Sequence, residues 1–221
     1  MIALLVMTDG RDDVLAQTLP LVAAHVPHTR FVVHDDTGSL AHRAELAERY
    51  RDLGVDVIGG DERRGFGGAI AAAWAHLAGV PELFVAHFED DFVPTRPVDW
   101  YDVADTLTRH PYLVQLALRR QPWNEAEKAA GGIVEQHPDD YIECSDAGAV
   151  WLEHSRFFTT NPSMYRRSLC ERGWPSGANS EGRFGISLLQ DDPGARFAFW
   201  GARDSGEWVS HIGHERNGTG Y

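Results

Sequence analysis

In the first hundred residues, short apolar runs alternate with longer stretches in which apolar positions recur every three or four residues. Ile2 to Met7, Phe31 to His34, Val55 to Ile58 and Leu83 to His87 are compact, largely apolar and bounded by turn residues, which predicts four strands. Between them, Leu40, Ala44, Ala47, Tyr50 and Leu53 recur at helical spacing, with Glu45 and Arg49 placed for an exposed ion pair. Residues 68–78, GAIAAAWAHLA, are strong helix formers that begin at a glycine-rich turn. Strand, helix, strand at this spacing predicts an α/β fold: a mostly parallel sheet with right-handed crossovers, flanked by helices.

After about residue 110 the pattern loosens and turn residues, Gly and Trp become frequent. The chain therefore divides into an α/β half, 1–110, and a more irregular half, 111–221, of one single domain. Within the second half, FFTTNPSMYRRS (157–168) predicts a short strand, a turn at Asn161 and Pro162, and a helix start capped by Ser163 or Asn161.

Length and charge narrow the function classes. A chain of 221 residues with 43% hydrophobic content supports one sizeable core, and a formal charge of -13 opposes general binding to polyanions. The apolar start is too short and too soon followed by acids for a signal peptide, and no run approaches the length of a membrane span. The expectation is a soluble, cytoplasmic protein with no membrane partner. Cys144 and Cys170 are isolated, which predicts two reduced thiols rather than a disulfide.

The candidate chemistry lies at the ends of the four strands, because ligands of open α/β sheets bind beyond the carboxyl edge. The first end carries Thr8, Asp9 and Gly10, and the second Asp35, Asp36, Thr37 and Gly38. The third carries Asp61, Glu62, Arg63, Arg64 and Gly65, and the fourth Glu89, Asp90 and Asp91. Asp and Gly are ordinary turn and cap residues at any one of these ends. Gathered on a single edge, so many acids repel one another, and a divalent cation carrying a phosphorylated ligand would compensate them. In RRGFGGA (63–69), Gly65, Gly67 and Gly68 let the backbone approach a ligand, and the following helix offers its positive end. The turn is neither the dinucleotide fingerprint nor a P-loop, so redox and P-loop kinase functions recede.

Together VVHDD followed by Ser39, RRGFGGAIAAA, and FEDDF resemble the GT-A nucleotide-sugar glycosyltransferases, most of all family two of that fold, across nearly the whole chain. FEDDF is similar to the acidic DxD-type motif, in particular to the EDD form of some Golgi-type N-acetylglucosaminyltransferases. The resemblance implies a GT-A fold and a donor that is a nucleotide-diphosphate sugar, a UDP-sugar first. It implies that Asp9 and Asp35 or Asp36 face base and ribose, that Arg64 and the following glycines lie near the nucleotide, and that Thr8, Glu89 and Asp90 border it. Asp91 is implied as a ligand of Mn2+ or Mg2+ that holds the diphosphate. An asparagine common in the family's helix is absent from Ala71 to Ala73.

The second half then carries acceptor and catalysis. The family leads from such a segment to an acid on a following helix, here Glu181, which acts in an inverting transferase as general base on the acceptor hydroxyl. The plain alternative is an acid placed for the helix dipole. In the closing VSHIGHERNGTGY, His211 resembles the family's late metal-ligating histidine and is preferred to His214. Arg216 and Tyr221 fit a loop that orders over the diphosphate, or a chain end. Trp123 in RRQPWNE, with Arg119 and Asn161, is the expected acceptor wall, since sugar faces stack on aromatic planes.

The compact form with its HIG start to the tail is similar to small glycosyltransferases of bacterial viruses, which implies host cytoplasm and an acceptor on virion protein or on modified bases of viral DNA. For DNA, the pairs Arg119, Arg120 and Arg166, Arg167 would meet phosphates. Two other classes fit the same residues: a sugar-phosphate nucleotidyltransferase, for which TDGRDD offers a thin version of the expected basic turn, and a non-catalytic sugar-nucleotide-binding protein.

Overall fold

The computed structural model describes residues 1–120, 122 and 124–213. The predicted strands are present as β1 (Ile2–Thr8), β2 (Arg30–Asp35), β3 (Val55–Ile58) and β4 (Phe84–Glu89). Helix α1 (Asp12–His25) links β1 to β2, α2 (Leu40–Arg49) links β2 to β3, and α3 (Gly65–Leu77) links β3 to β4. The helical pattern expected to run to 53 stops earlier: a short 3-10 turn takes over at Arg51–Leu53 and ends at Gly54 in the left-handed conformation.

Beyond β4 follow β5 (Phe92–Pro94), α4 (Trp100–Arg109), β6 (Leu113–Ala117), α5 (Glu125–Ala130), α6 (Ile133–Gln136), β7 (Ile142–Asp146), β8 (Ala149–His154) and β9 (Ser163–Arg166). The chain then forms α7 (Ser180–Asp191), β10 (Arg196–Trp200) and β11 (Val209–His211). One sheet runs in the order β3-β2-β1-β4-β9-β6-β10-β8-β7, and β5 with β11 forms a separate antiparallel ribbon. The first four strands are parallel neighbours, as is the pair β6 and β10, whereas β9, β8 and β7 pair antiparallel. The sheet is mixed, flanked by helices, and takes strands from both sides of residue 110.

The segment 163–166 corrects the sequence expectation, which placed a helix start at Ser163 after a strand at 157–160. Ser163 to Tyr165 are wholly buried, and β9 inserts between β4 and β6, pairing Val85 with Tyr165 on one side and Gln115 with Tyr165 on the other. A four-residue strand carries too little local pattern to declare itself; two distant ladders of backbone hydrogen bonds decide it.

Each central strand is apolar on both sides because both faces are covered. Leu4 and Val6 of β1 face a core with Leu15, Leu19 and Val22 of α1 and Trp100, Val103 and Leu107 of α4. Ala3, Leu5 and Met7 face the other core, with Ala69, Ile70, Ala73, Trp74 and Leu77 of α3 and Phe184 and Leu188 of α7. Among the described residues no helix is long and apolar enough to cross a membrane. Both cysteines are free thiols, Cys170 buried and Cys144 partly so.

Candidate active site

The chain runs outward from β1 through β2 to β3, then returns to place β4 on the other flank of β1. This reversal opens a crevice beyond the ends of β1 and β4, the position at which open α/β sheets take their ligands. The register brings Thr8 beside Asp35 and Met7 beside Glu89. A cavity of about 340 Å³ opens there, walled by Met7, Thr8, Asp9, Arg11, Asp36, Arg63, Gly65, Phe66, Ala69, Ile70, His87, Glu89 and Asp90.

Arg11 occupies the middle of the acidic edge. The β1–α1 turn needs Gly10, at φ +97°, where a Cβ would lie 2.8 Å from the Thr37 methyl. The turn delivers Arg11 as the N-terminal flanking residue of α1. Its guanidinium forms ion pairs with Asp90 and Asp91, and its Nε lies 3.5 Å from Asp9. Although burial opposes its charge, the Asp90 and Asp91 carboxylates hold the Arg11 proton more tightly than usual. Thr8 donates its hydroxyl to the other Asp90 oxygen at 2.7 Å. Burial still lifts Asp90 to about 6, against the opposing pull of Arg11 and Thr8.

Asp91 is held from a third direction. Ribbon β5–β11 pairs His211 with Phe92 in register, and the amide of Ile212 donates to the carbonyl of Asp91 at 2.8 Å. The His211 ring stacks on Phe92, and its Nε2 lies 3.0 Å from Asp91 Oδ2. Burial would raise the Asp91 pKa, but the hydrogen bonds from His211 and Arg11 and the Arg11 charge keep it below the ordinary value. Its second oxygen, Oδ1, is buried with no hydrogen-bond partner among the described residues. The backbone of Gly213 passes so close to Asp91 that a Cβ there would come within 2.3 Å of Oδ2. Thus the two residues expected to meet a metal, Asp91 and His211, are neighbours despite their separation in sequence.

Glu181 stands at the start of α7, in its first turn. Gly67 of α3 lets that helix approach, since a Cβ there would be 3.0 Å from the Ser180 hydroxyl. Glu181 accepts from the Thr160 amide at 2.6 Å and from its hydroxyl at 3.0 Å. Burial raises the Glu181 pKa in spite of those bonds. Burial, with the charges of Asp91, Asp90 and Glu181, pushes Glu89 up to about 8. Glu89, on the cavity wall, and Glu181, on the second half of the chain, are therefore close enough for their charges to interact.

Other expected residues are placed differently. Asp35 and Asp36 spend their carboxylate oxygens on the protein itself, Asp35 on Thr37 and His42, and Asp36 on the amides of Arg64 and Gly65. Of the two arginines in that turn it is Arg63 that lines the cavity, paired with Asp9 at 2.7 Å. Gly65 adopts φ +68° over open space, while Gly68 has no room for a Cβ against the Arg64 side chain. Asn161 follows Thr160, and its amide donates to Thr159 Oγ1 at 3.1 Å. Arg119 pairs with Glu207 at 2.6 Å and donates to the carbonyl of Val209. Trp123, His214, Arg216 and Tyr221 lie outside the described residues.

The basic pairs expected to meet DNA phosphates are engaged within the protein, Arg119 and Arg167 with the exposed carboxylates of Glu207 and Glu171. Arg120 donates to the carbonyls of Gly201, Ala202 and Arg203, Arg166 to those of Leu107, His110 and Leu113, and Arg167 to that of Ala78. A guanidinium is a fork of donors, and here it satisfies chain carbonyls at element ends.

Arg11, Arg63 and His87 line the cavity although the sequence pattern assigns none of them a role: it places Arg63 at the third strand end but favours Arg64. Arg11 had a signal: it is a basic residue inside an acidic turn directly after the first strand. His87 had none beyond its place before the acidic triplet. It is 1% exposed, its Nδ1 lies 3.1 Å from the Tyr165 hydroxyl, and that hydroxyl accepts from Trp74 Nε1 at 2.9 Å. Burial keeps the ring neutral, at about 4. The Tyr165 proton is then best used toward Nδ1, which leaves the hydrogen of the ring on Nε2.

No family model matches the chain, and no curated protein matches it in sequence. Solved structures do match in fold. The mannosyltransferase PcManGT from Pyrobaculum calidifontis, in complex with GDP-Man and Mn2+, is 17% identical with a TM-score of 0.59, over 89% of this chain and 53% of that one. TarS 1-349 from S. aureus in complex with UDP-GlcNAc is 16% identical with a TM-score of 0.64, over 98% of this chain and 59% of that one. The same TarS fragment with UDP superposes with a TM-score of 0.61 at 16% identity, over 93% of this chain and 59% of that one. The chain thus spans a little over half the length of these structures, and its fold is the α/β, GT-A-like fold of nucleotide-sugar glycosyltransferases.

Proposed function

We propose that the protein is a glycosyltransferase that moves a sugar from a nucleotide-diphosphate donor, a UDP-sugar first, to an acceptor hydroxyl with the help of a divalent cation. The observation that carries this reading is the convergence at the β1/β4 crevice. A cavity edged by Arg11, Arg63 and Glu89 is bordered by the Asp91–His211 pair, which Arg11 contacts, and by the partly buried acid Glu181, so that five separate segments of the chain contribute. The fold neighbours include proteins solved with GDP-Man and Mn2+, UDP-GlcNAc and UDP, which supports the donor class.

The residues fit a metal in a limited sense. Among the described residues no group of three or more His, Cys, Asp and Glu side chains is arranged to hold an ion. Mg2+ and similar hard cations, however, are commonly bound through one or two carboxylates with water and substrate phosphates completing the shell. Asp91, whose buried Oδ1 has no partner among the described residues, and the imidazole of His211 are the side chains that would hold it. Bound there, Mn2+ or Mg2+ would supply positive charge to the departing diphosphate. Arg63 and Arg11 carry the remaining positive charge of the cavity, and Glu181, with proton affinity raised by partial burial, takes the acceptor proton as the hydroxyl attacks. The acceptor surface is assigned to the second half, beside Thr160 and Asn161.

Thermal shift with UDP-GlcNAc, UDP, GDP-Man and GDP, each with and without Mn2+, tests the donor class, since a ligand of the native state raises its melting temperature. Metal-dependent stabilisation by a sugar nucleotide is expected; no response to any of the four would overturn the reading. Arg11 directly after β1 also favours a second reading, a sugar-phosphate nucleotidyltransferase. Pyrophosphate release from a nucleoside triphosphate and a sugar phosphate would establish that one instead.

A further inference from the structure

We infer that Arg11 is a resident counter-cation that competes with the divalent ion for Asp91, so that the ion binds poorly alone and binds cooperatively with a nucleoside diphosphate. The inference rests on the donor class proposed above and goes beyond it. Its ground is the way the Asp91 carboxylate is already used. Oδ2 receives both the Arg11 guanidinium and His211 Nε2, and Oδ1 is buried without a partner among the described residues. The carboxylate is 5% exposed, so a cation arriving there meets Arg11 in a poorly screened setting. A dication beside a fixed guanidinium on one carboxylate is repelled, and the His211 nitrogen needed as a ligand is committed to the same oxygen.

Arg11 has somewhere to go. Its side chain lies on the cavity wall, 24% exposed, beside Arg63 and at the positive end of α1. A diphosphate entering the crevice offers acceptor oxygens to the guanidinium in the geometry that arginine pairs with best. When Arg11 transfers from Asp91 to a phosphate, the carboxylate is free for the ion, and the ion adds its own bond to the same diphosphate. Asp90 keeps the hydrogen bond from Thr8 and whatever part of the Arg11 fork remains. No covalent bond changes in this exchange; only ion pairs do. By linkage, the factor by which nucleotide strengthens ion binding equals the factor by which the ion strengthens nucleotide binding.

Calorimetric titration of the whole protein with Mn2+ alone, UDP alone, and each in the presence of the other measures the coupling directly. In the wild type, Mn2+ is expected to bind weakly alone and about 5- to 150-fold more tightly with UDP. Arg11→Gln is expected to bind Mn2+ alone about tenfold more tightly than wild type and to lose most of the coupling. Arg11→Lys, which keeps the charge, should still bind Mn2+ weakly, and circular dichroism of both variants checks that they fold. If Arg11→Gln binds Mn2+ no better than wild type, or Arg11→Lys binds it as well as Arg11→Gln, charge competition is not at work and the inference falls. If the wild type binds UDP but shows no coupling to Mn2+, the inference falls while the donor class stands. If GDP and UDP both fail to bind under every condition, the donor class itself has failed, and the inference with it.

Discussion

Two pairs of aspartates flank β1, and the protein uses them in opposite ways. Asp35 and Asp36 close β2, and their oxygens are filled by the amides of Thr37, Arg64 and Gly65, the Thr37 hydroxyl and the His42 ring, all within 2.8 to 2.9 Å. Asp90 and Asp91 follow β4, and their partners are the ends of side chains: Thr8, Arg11 and His211. Backbone donors cannot leave without unfolding a turn, whereas an arginine or histidine can swing away for a few kcal/mol at most. Asp36 is therefore part of the cavity's frame even though it lines the wall, whereas the partners of Asp91 are ones that an incoming ligand could displace. The number of acids on an edge does not separate a binding site from a set of turns; the kind of partner each acid already has does.

The sharpest test of the comparison is the loss of chemistry without loss of fold. Glu181→Gln keeps a hydrogen-bond acceptor toward Thr160 but removes the proton acceptor, so transfer from UDP-GlcNAc or another accepted donor is expected to drop by about 10²- to 10⁴-fold while donor binding persists. Parallel loss of donor binding and of melting temperature would mark Glu181 as a helix-start residue only. Asp91→Asn is next in size. Turnover is expected to fall by at least about a hundredfold, and the part of the thermal shift that depends on Mn2+ should vanish. Full Mn2+-dependent turnover in that variant would remove Asp91 from the site.

How much of this was readable beforehand follows the same physics. The central strands are covered on both faces, so Ile2 to Met7 and Leu83 to His87 show as unbroken apolar runs, and their polar ends mark the crevice within a residue or two. Strand β9 was hidden because SMYR is short and its state is fixed by partners some fifty to eighty residues away in the chain, as Gln115 and His87 are from Tyr165 and Ser163. Arg11 was visible as a base in an acidic turn, but its partners were not. A turn residue has no periodicity, and a long side chain can reach several acids or none. The partners of Arg119, Arg120, Arg166 and Arg167 were equally unreadable, since a pair of adjacent arginines looks the same whether it faces solvent or bonds to its own carbonyls.

Breaking the structural pair should cost stability rather than chemistry. Asp36→Ala leaves the amides of Arg64 and Gly65 without their acceptor at the entry to α3, and a loss of about 1–3 kcal/mol is expected in urea unfolding. Donor affinity, measured well below the melting temperature, should change less than in Asp91→Asn. If Asp36→Ala instead unfolds like wild type and fails to bind donor, the two pairs are not used differently and the contrast drawn between them is mistaken.

The smallest effect expected concerns the histidine that ties the structural pair down. His42 in α2 places Nδ1 2.8 Å from Asp35 and Nε2 3.0 Å from Asp12, and carboxylates only accept, so both ring nitrogens carry protons. Burial works against that charge, but the hydrogen bonds and charges of Asp35 and Asp12 outweigh it and raise the pKa above 6.5. In the unfolded chain the proton leaves near 6.5, and in the folded protein it leaves later. The bound proton therefore stabilises the fold fully below 6.5, and this contribution is lost as the pH rises through the raised folded value. His42→Gln removes the titration, so the difference in unfolding free energy between the two proteins should be about 1 kcal/mol at the acid side of that window and shrink above it. Taking the difference cancels the buried acids elsewhere, which titrate in both proteins. A difference that stays flat across the window would mean that His42 is neutral between its two aspartates, and that the frame around β2 is held by Asp35 and the backbone without it.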